Sequence, residues 1–231
     1  MKLMTYNTQH CLNYITREID FDLIAGTIKK YGADIIGLNE MNSLGSDEEY
    51  TDQMKELASR LGFHYYFGKA CLLDGGNPFG NGILSKFTIL SVENIPIPDP
   101  EIKNFAEYYE TRNIIKATFE NSLTVMVTHF GLNADEQVNA VKTVLANLPN
   151  NKTVLMGDFN IRPDNILIRT ISKHLVDTAT VFDGIKYSFP SDSPNRKIDY
   201  IFVSDDIKII SADIPQIVTS DHCPHIAEID I

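Results

Sequence analysis

Apolar and polar residues along this chain recur in two periods, one suited to strands and one to helices. Residues 2–7 (KLMTYN) form a short apolar run with strand character. The spacing turns helical over 20–32, with Asp20 as N-cap and Gly32 as stop. ADIIGLNE (33–40) is a buried-type strand that ends on a carboxylate, and 50–62 is a second helix closed by Gly62. Strands are predicted at 64–70, 81–86 and 88–97. TRNIIKATFE and LTVMVTHFG follow, and the Asn121-Ser122 pair between them is a hairpin signal. Residues 133–148 are the clearest amphipathic helix, 152–160 a strand, and 164–175 a short helix. Strands at 197–204, 207–214 and 225–231 complete the chain, and 96–110 reads as a surface loop. No repeat, linker or low-complexity tract divides the pattern. It predicts one domain over 1–231, with sheets and helices layered as in an α/β protein.

Composition narrows the class. A chain of 231 residues with 43% hydrophobic content can bury a substantial core. No apolar run is long enough to cross a bilayer, and the N-terminus starts a strand where a signal peptide would need an apolar stretch; the expected location is the cytoplasm. Cys11, Cys71 and Cys223 lack the spacing of a disulfide framework or a zinc site, so they are expected to be reduced and structural. The net charge of −11 weighs against a long polyanion as partner but suits a divalent cation, which needs carboxylates.

One pattern carries chemistry. Apolar strands end in groups that bind cations or move protons: Asn7, Glu40, His129, then Asp158 with Asn160. Singly, each has a structural reading, because Asn and Asp also cap helices and turn chains. Asp199 is harder to place, being flanked by Ile198, Tyr200 and Ile201; a carboxylate inside an apolar strand needs a partner. The TSDHCPH stretch before the last strand offers His222 as that partner, with Asp221 beside it. Cys223 and Pro224 are expected to shape the turn, and His225 has no assigned role. Together these groups supply what metal-assisted phosphoester cleavage requires. Oxygen ligands suit Mg²⁺, a histidine–aspartate pair can handle the proton of water, and amides and imidazoles can donate to phosphoryl oxygens.

The ordered motifs TYN (5–7), LNE (38–40), GNGILS (80–85), ETR (110–112), VTHFG (127–131), GDFN (157–160), KIDYIF (197–202) and SDHCP (220–224) resemble the endonuclease/exonuclease/phosphatase superfamily over nearly the whole chain. The resemblance implies a DNase I-like four-layer α/β sandwich, two mixed β-sheets face to face with helices outside. It also implies Glu40 as principal Mg²⁺ ligand (Mn²⁺ as possible substitute), with Asn7 beside it and Asp221 completing or supporting the site. His222, paired with Asp199, would be a general base or a phosphate-polarising group. Asp158 would position or activate the attacking water, Asn160 and His129 would contact the phosphate, and Arg112 and Asn81 resemble substrate-contact positions. Two positions depart from the pattern: Asn39 stands where the family usually has Gln, and Gln9 where some of its nucleases have an acid.

The substrate-side loops expected from this arrangement are 8–19, 41–49, 71–81, 96–111 and 183–196. They contain Arg17 and Arg196, but also Asp47, Glu48, Glu49, Asp99, Glu101 and Glu107. That balance favours a small or lipid-like phosphodiester or phosphomonoester over duplex DNA. A nuclease for DNA or RNA is the alternative. A catalytically silent binding protein on the same scaffold would be expected to lose Glu40, Asp158 or His222, and all three are present. No protein partner is inferable.

Overall fold

The structure is a computed structural model that describes residues 1–45, 51–73 and 76–231. The loop acids Asp47, Glu48 and Glu49 lie outside the described residues. Two six-stranded sheets form the body. The first contains β1 (Lys2–Asn7), β2 (Ile35–Asn42), β3 (His64–Leu73), β4 (Asn77–Ser85), β11 (Lys208–Asp213) and β12 (His225–Asp230), in the order β11-β12-β1-β2-β4-β3. The second contains β5 (Ser91–Pro96), β6 (Asn113–Thr118), β7 (Thr124–His129), β8 (Thr153–Asp158), β9 (Val176–Asp177) and β10 (Asp199–Val203), in the order β5-β6-β7-β8-β10-β9. Both are mixed: β1–β2 and β7–β8 run parallel, and the other pairs antiparallel.

The sheets pack face to face through Leu3, Ile35, Ile83, Val127, Met156 and Ile201, all fully buried. The opposite faces are buried too. Helices α1 (Phe21–Tyr31) and α2 (Gln53–Leu61) cover Met4, Ile36 and Leu38; α3 (Ala134–Asn147) and α4 (Ile166–Ile171) cover Met126, Leu155 and Phe202. Burial on both faces explains the unbroken apolar runs of the central strands. The layers are therefore helix, sheet, sheet, helix, as the sequence predicts.

Local chemistry sets the helix ends. Asp20 accepts from Leu23 N–H at 2.9 Å, and Asp52 accepts from Lys55 N–H at 3.1 Å. Gly32 and Gly62 close α1 and α2 at positive φ (66° and 70°). The hairpin between β6 and β7 turns at Asn121 and Ser122, both at positive φ, as a two-residue turn requires.

Some boundaries differ from the sequence reading. β2 runs two residues past Glu40, through a bulge between Leu38 and Met41. β3 continues to Leu73 and β4 begins at Asn77, because the two strands pair along their full length. α4 is six residues long, shorter than 164–175, because the chain turns after Ile171 to place β9 against β10. The two-residue β9 and the turn at Gln9–Cys11 have no periodic signature.

Candidate active site

Strand register brings the polar strand ends to one edge. Asn7 pairs with Asn39 across β1–β2, His129 with Asp158 across β7–β8, and Asp199 with Asp158 across β8–β10. Asp158 is the hub and is 1% exposed. Its Oδ2 accepts from Asn7 Nδ2 at 3.1 Å and faces two imidazoles, His129 Nε2 at 3.5 Å and His222 Nε2 at 3.6 Å. Its Oδ1 accepts from Asn160 N–H at 2.9 Å. The preceding Gly157 sits at φ +150°, and a Cβ there would lie 1.8 Å from Thr128 O. Only glycine lets β8 approach β7 this closely just before the hub.

The two histidines have different backing. His222 Nδ1 donates to Asp199 Oδ2 at 2.8 Å, which fixes its tautomer. Burial alone would lower its pKa, but Asp199 and Asp158 outweigh burial and raise it. His129 Nδ1 lies 2.8 Å from Arg112 Nη1. A guanidinium has only donors, so Nδ1 accepts and the ring proton sits on Nε2. Burial, then the Arg112 charge, hold the His129 pKa well below its ordinary value. Asp158 is pushed up by burial and by Asp199, against the pull of His222.

The turn at 219–223 is held from two directions. Ser191 N–H donates to Asp221 O at 2.7 Å, and Cys223 N–H to Ser188 O at 2.7 Å. Phe189 packs on the His222 ring at 4.7 Å between centroids. Tyr6 and Thr219 share a short hydroxyl hydrogen bond that ties the turn to β1. Asp221 is half-buried, its carboxyl raised by burial and by Glu40, among other charges. Glu40 itself stands at positive φ (59°) in the β2 bulge and accepts from Asn7 Nδ2 at 2.9 Å. The bulge turns its carboxylate to the open edge.

Nine of the ten residues singled out from the sequence gather at this edge: Asn7, Glu40, Arg112, His129, Asp158, Asn160, Asp199, Asp221 and His222. Asn81 is placed differently. It is 2% exposed; its Oδ1 accepts from Asn39 Nδ2 at 2.7 Å, and its Nδ2 donates to Asn113 Oδ1 at 2.7 Å. It braces the floor beneath the site. Arg112 reaches the edge but turns inward to His129 and Glu110. Asn39 does more than its place as a departure suggested. It bridges the sheets by donating to Thr128 O at 2.9 Å and accepting from Asp158 N–H at 2.9 Å. Glu110, His10 and Asn113 also belong to the surroundings of the site, and only Glu110, inside the ETR motif, carried a sequence signal.

Two groups could take a metal ion. Asp158, Asp199 and His222 place ligand atoms within 4.8 Å of one another, and Asp199 Oδ1 is buried with no hydrogen-bond partner. Glu40 and Asp221 offer a pair of oxygen donors at the more open rim.

A buried carboxylate stands between two differently backed imidazoles at the edge of a four-layer sandwich, an arrangement able to take and give protons. The chain belongs to the Endonuclease/Exonuclease/phosphatase family, whose model matches residues 4–222. That family comprises hydrolases acting on phosphoester bonds. An endonuclease/exonuclease/phosphatase structure from Beutenbergia cavernae superposes with TM-score 0.83 at 20% identity, covering 100% of this chain and 71% of that one. A Bacteroides thetaiotaomicron mannosyl-6-phosphatase gives 0.77 at 18%, covering 100% of each. The human Nocturnin catalytic domain, with bound sulfate, gives 0.72 at 18%, covering 100% of this chain and 93% of that one. These likenesses establish the DNase I-like fold. Among curated proteins, none matches significantly. No helix among the described residues is long and apolar enough to cross a membrane.

Proposed function

We propose that this protein is a Mg²⁺-dependent phosphoester hydrolase acting on a small or lipid-like phosphodiester or phosphomonoester, by in-line attack of water. The observation that carries the proposal is the convergence on Asp158 Oδ2 of Asn7 Nδ2, His129 Nε2 and His222 Nε2. A carboxylate raised by burial and by Asp199 is suited to take a proton from water at neutral pH. His222, raised by its two aspartates, donates from Nε2 to a phosphoryl oxygen as charge accumulates, and Asp199 holds it in that orientation. Asn160 Nδ2 lies 3.2 Å from His129 Nε2; both are donors, so they face one space in which a phosphoryl oxygen would accept from each.

The residues present fit a hard cation. Glu40 and Asp221 are like charges close enough for one to raise the other, and a cation between them removes that repulsion. Asn7 steadies Glu40, since its Oδ1 accepts from Gln9 N–H while its Nδ2 donates to the carboxylate. A cation held there would supply positive charge to the phosphoryl oxygen. The internally bonded Asp158–Asp199–His222 group is less suited to Mg²⁺, because one of its three ligands is nitrogen.

Charge favours the small substrate. The net charge is −11, and Asp99, Glu101 and Glu107 are exposed on the loop beside the site. The test compares bis(p-nitrophenyl) phosphate with p-nitrophenyl phosphate in Mg²⁺, Mn²⁺ and EDTA, alongside a fluorescent oligonucleotide at several salt concentrations. Metal-dependent hydrolysis of either small ester, with weak oligonucleotide binding, is expected. Cleavage of the oligonucleotide in preference to both esters would replace this reading with the nuclease.

A further inference from the structure

Arg112 and Glu110 form an ion pair at 2.7 Å, with side chains only 11% and 13% exposed. The pairing is poor as a stabilising device. An arginine that serves a carboxylate best presents two parallel donors to it. Here Arg112 Nε is buried with no acceptor, and Glu110 Oε1 lies off the hydrogen-bond direction of any donor. The Nη1 that faces Glu110 is the same nitrogen that donates to His129 Nδ1. The fork has been given up to hold an imidazole.

Glu110 is anchored in turn. Its backbone N–H donates to Glu136 Oε1 at 3.2 Å, and Glu136 Oε2 accepts from Asn133 N–H at 3.1 Å at the start of α3. Burial, with Glu40 and Glu136 nearby, disfavours the Glu110 carboxylate, and Arg112 opposes them. A carboxylate kept at this cost, beside an arginine it pairs with imperfectly, calls for a reason other than stability.

We propose that Glu110 is a positioning residue of this site: through Arg112 it fixes His129 in the tautomer that carries its proton on Nε2, aimed at Asp158 Oδ2 and at the phosphate expected there. The chain Glu110–Arg112–His129–Asp158 mirrors Asp199–His222–Asp158 with the opposite charge behind the ring. The assignment rests on the proposed hydrolytic function for the phosphate; the tautomer rests on the Arg112 contact with Nδ1, while Nε2 faces Asp158 Oδ2 at 3.5 Å and the Asn160 amide nitrogen, a second donor, at 3.2 Å. It also gives Arg112 a role different from the substrate contact suggested by its motif.

The test is Glu110→Gln in the full chain, read in two ways. One is the tautomer of His129 in ¹⁵N-histidine-labelled protein, assigned against His129→Gln. The other is steady-state hydrolysis of whichever p-nitrophenyl ester the wild type cleaves. The wild type is expected to show the Nε2–H form alone, and the variant a mixture of both. In the variant kcat is expected to fall a few-fold and no more than about tenfold, the loss expected for replacing the His129 ring itself, with KM nearly unchanged. A wild-type ring protonated on Nδ1 overturns the proposal. So does a folded variant that keeps the Nε2–H form, whatever its rate. If Glu110→Gln does not fold, Glu110→Asp keeps the charge but draws the carboxylate back from Arg112, and the same mixture is expected. If wild type hydrolyses nothing, the functional reading fails, while the tautomer measurement still decides the role of Glu110.

Discussion

His129 and His222 occupy equivalent places on either side of Asp158, and differ in what stands behind them. Their Nε2 atoms lie 3.5 and 3.6 Å from the same carboxylate oxygen, and both rings are 4% exposed. Behind His222 is an aspartate that accepts; behind His129 is an arginine that donates. The first backing raises the ring's pKa against its burial, and the second adds to burial in lowering it. Equal distance and equal burial therefore give one cationic and one neutral donor. A buried imidazole's chemistry is set by its far nitrogen more than by the near one.

The comparison is open to direct attack. In the proposed reaction His222→Ala removes the charged donor, and kcat should fall about 10³-fold, within the usual range for acid–base groups. His129→Gln keeps a neutral N–H donor near Asp158, and its loss should stay near tenfold. Steady-state kinetics on both variants, with circular dichroism to confirm folding, would check the ranking. Equal losses would mean the backing groups do not distinguish the rings.

A third histidine serves as a control for stability. His225 is fully buried on β12; its Nδ1 donates to Asp199 O at 3.2 Å, and its Nε2 accepts from Thr178 at 3.0 Å. Burial first, then the Lys197 charge, lower its pKa to about 4. The unfolded ring titrates near 6.5. Between these values the unfolded chain binds a proton that the folded chain refuses, so stability is full above about 6.5 and falls as pH drops toward 4. The loss attributable to His225 is about 3 kcal/mol. His129 acts in the same direction. His222, with its pKa raised, acts oppositely: its contribution is present below about 6.5 and lost as pH rises through its higher folded value. Urea denaturation at pH 7 and pH 5 should show the acid loss, and His225→Gln should reduce it. A variant with an unchanged pH slope would remove His225 from this account.

The layers of the fold were legible because both faces of the central strands are buried, which leaves continuous apolar runs in the sequence. The strand-end residues were legible for the same reason, since a polar group that closes such a run stands out. The Asp199–His222 pair followed from the cost of a carboxylate among Ile198, Tyr200 and Ile201. What was not legible is direction. Asn81 lies on a predicted strand, yet which face it presents depends on pairing with β2 and β3, and it points to Asn39 and Asn113. Arg112 turns inward for a partner seventeen residues away. Glu40 reaches the edge through a bulge that leaves no mark on hydrophobic periodicity.

Asp158→Asn tests the central claim most directly. The amide matches the carboxylate in size but can neither take a proton nor balance His222. Hydrolysis of the preferred p-nitrophenyl ester in Mg²⁺, measured for wild type and variant at equal folded fraction, is the measurement. The account predicts wild-type turnover that EDTA abolishes, and a variant reduced about 10³-fold or more. A folded variant that turns over within a few fold of wild type would contradict it.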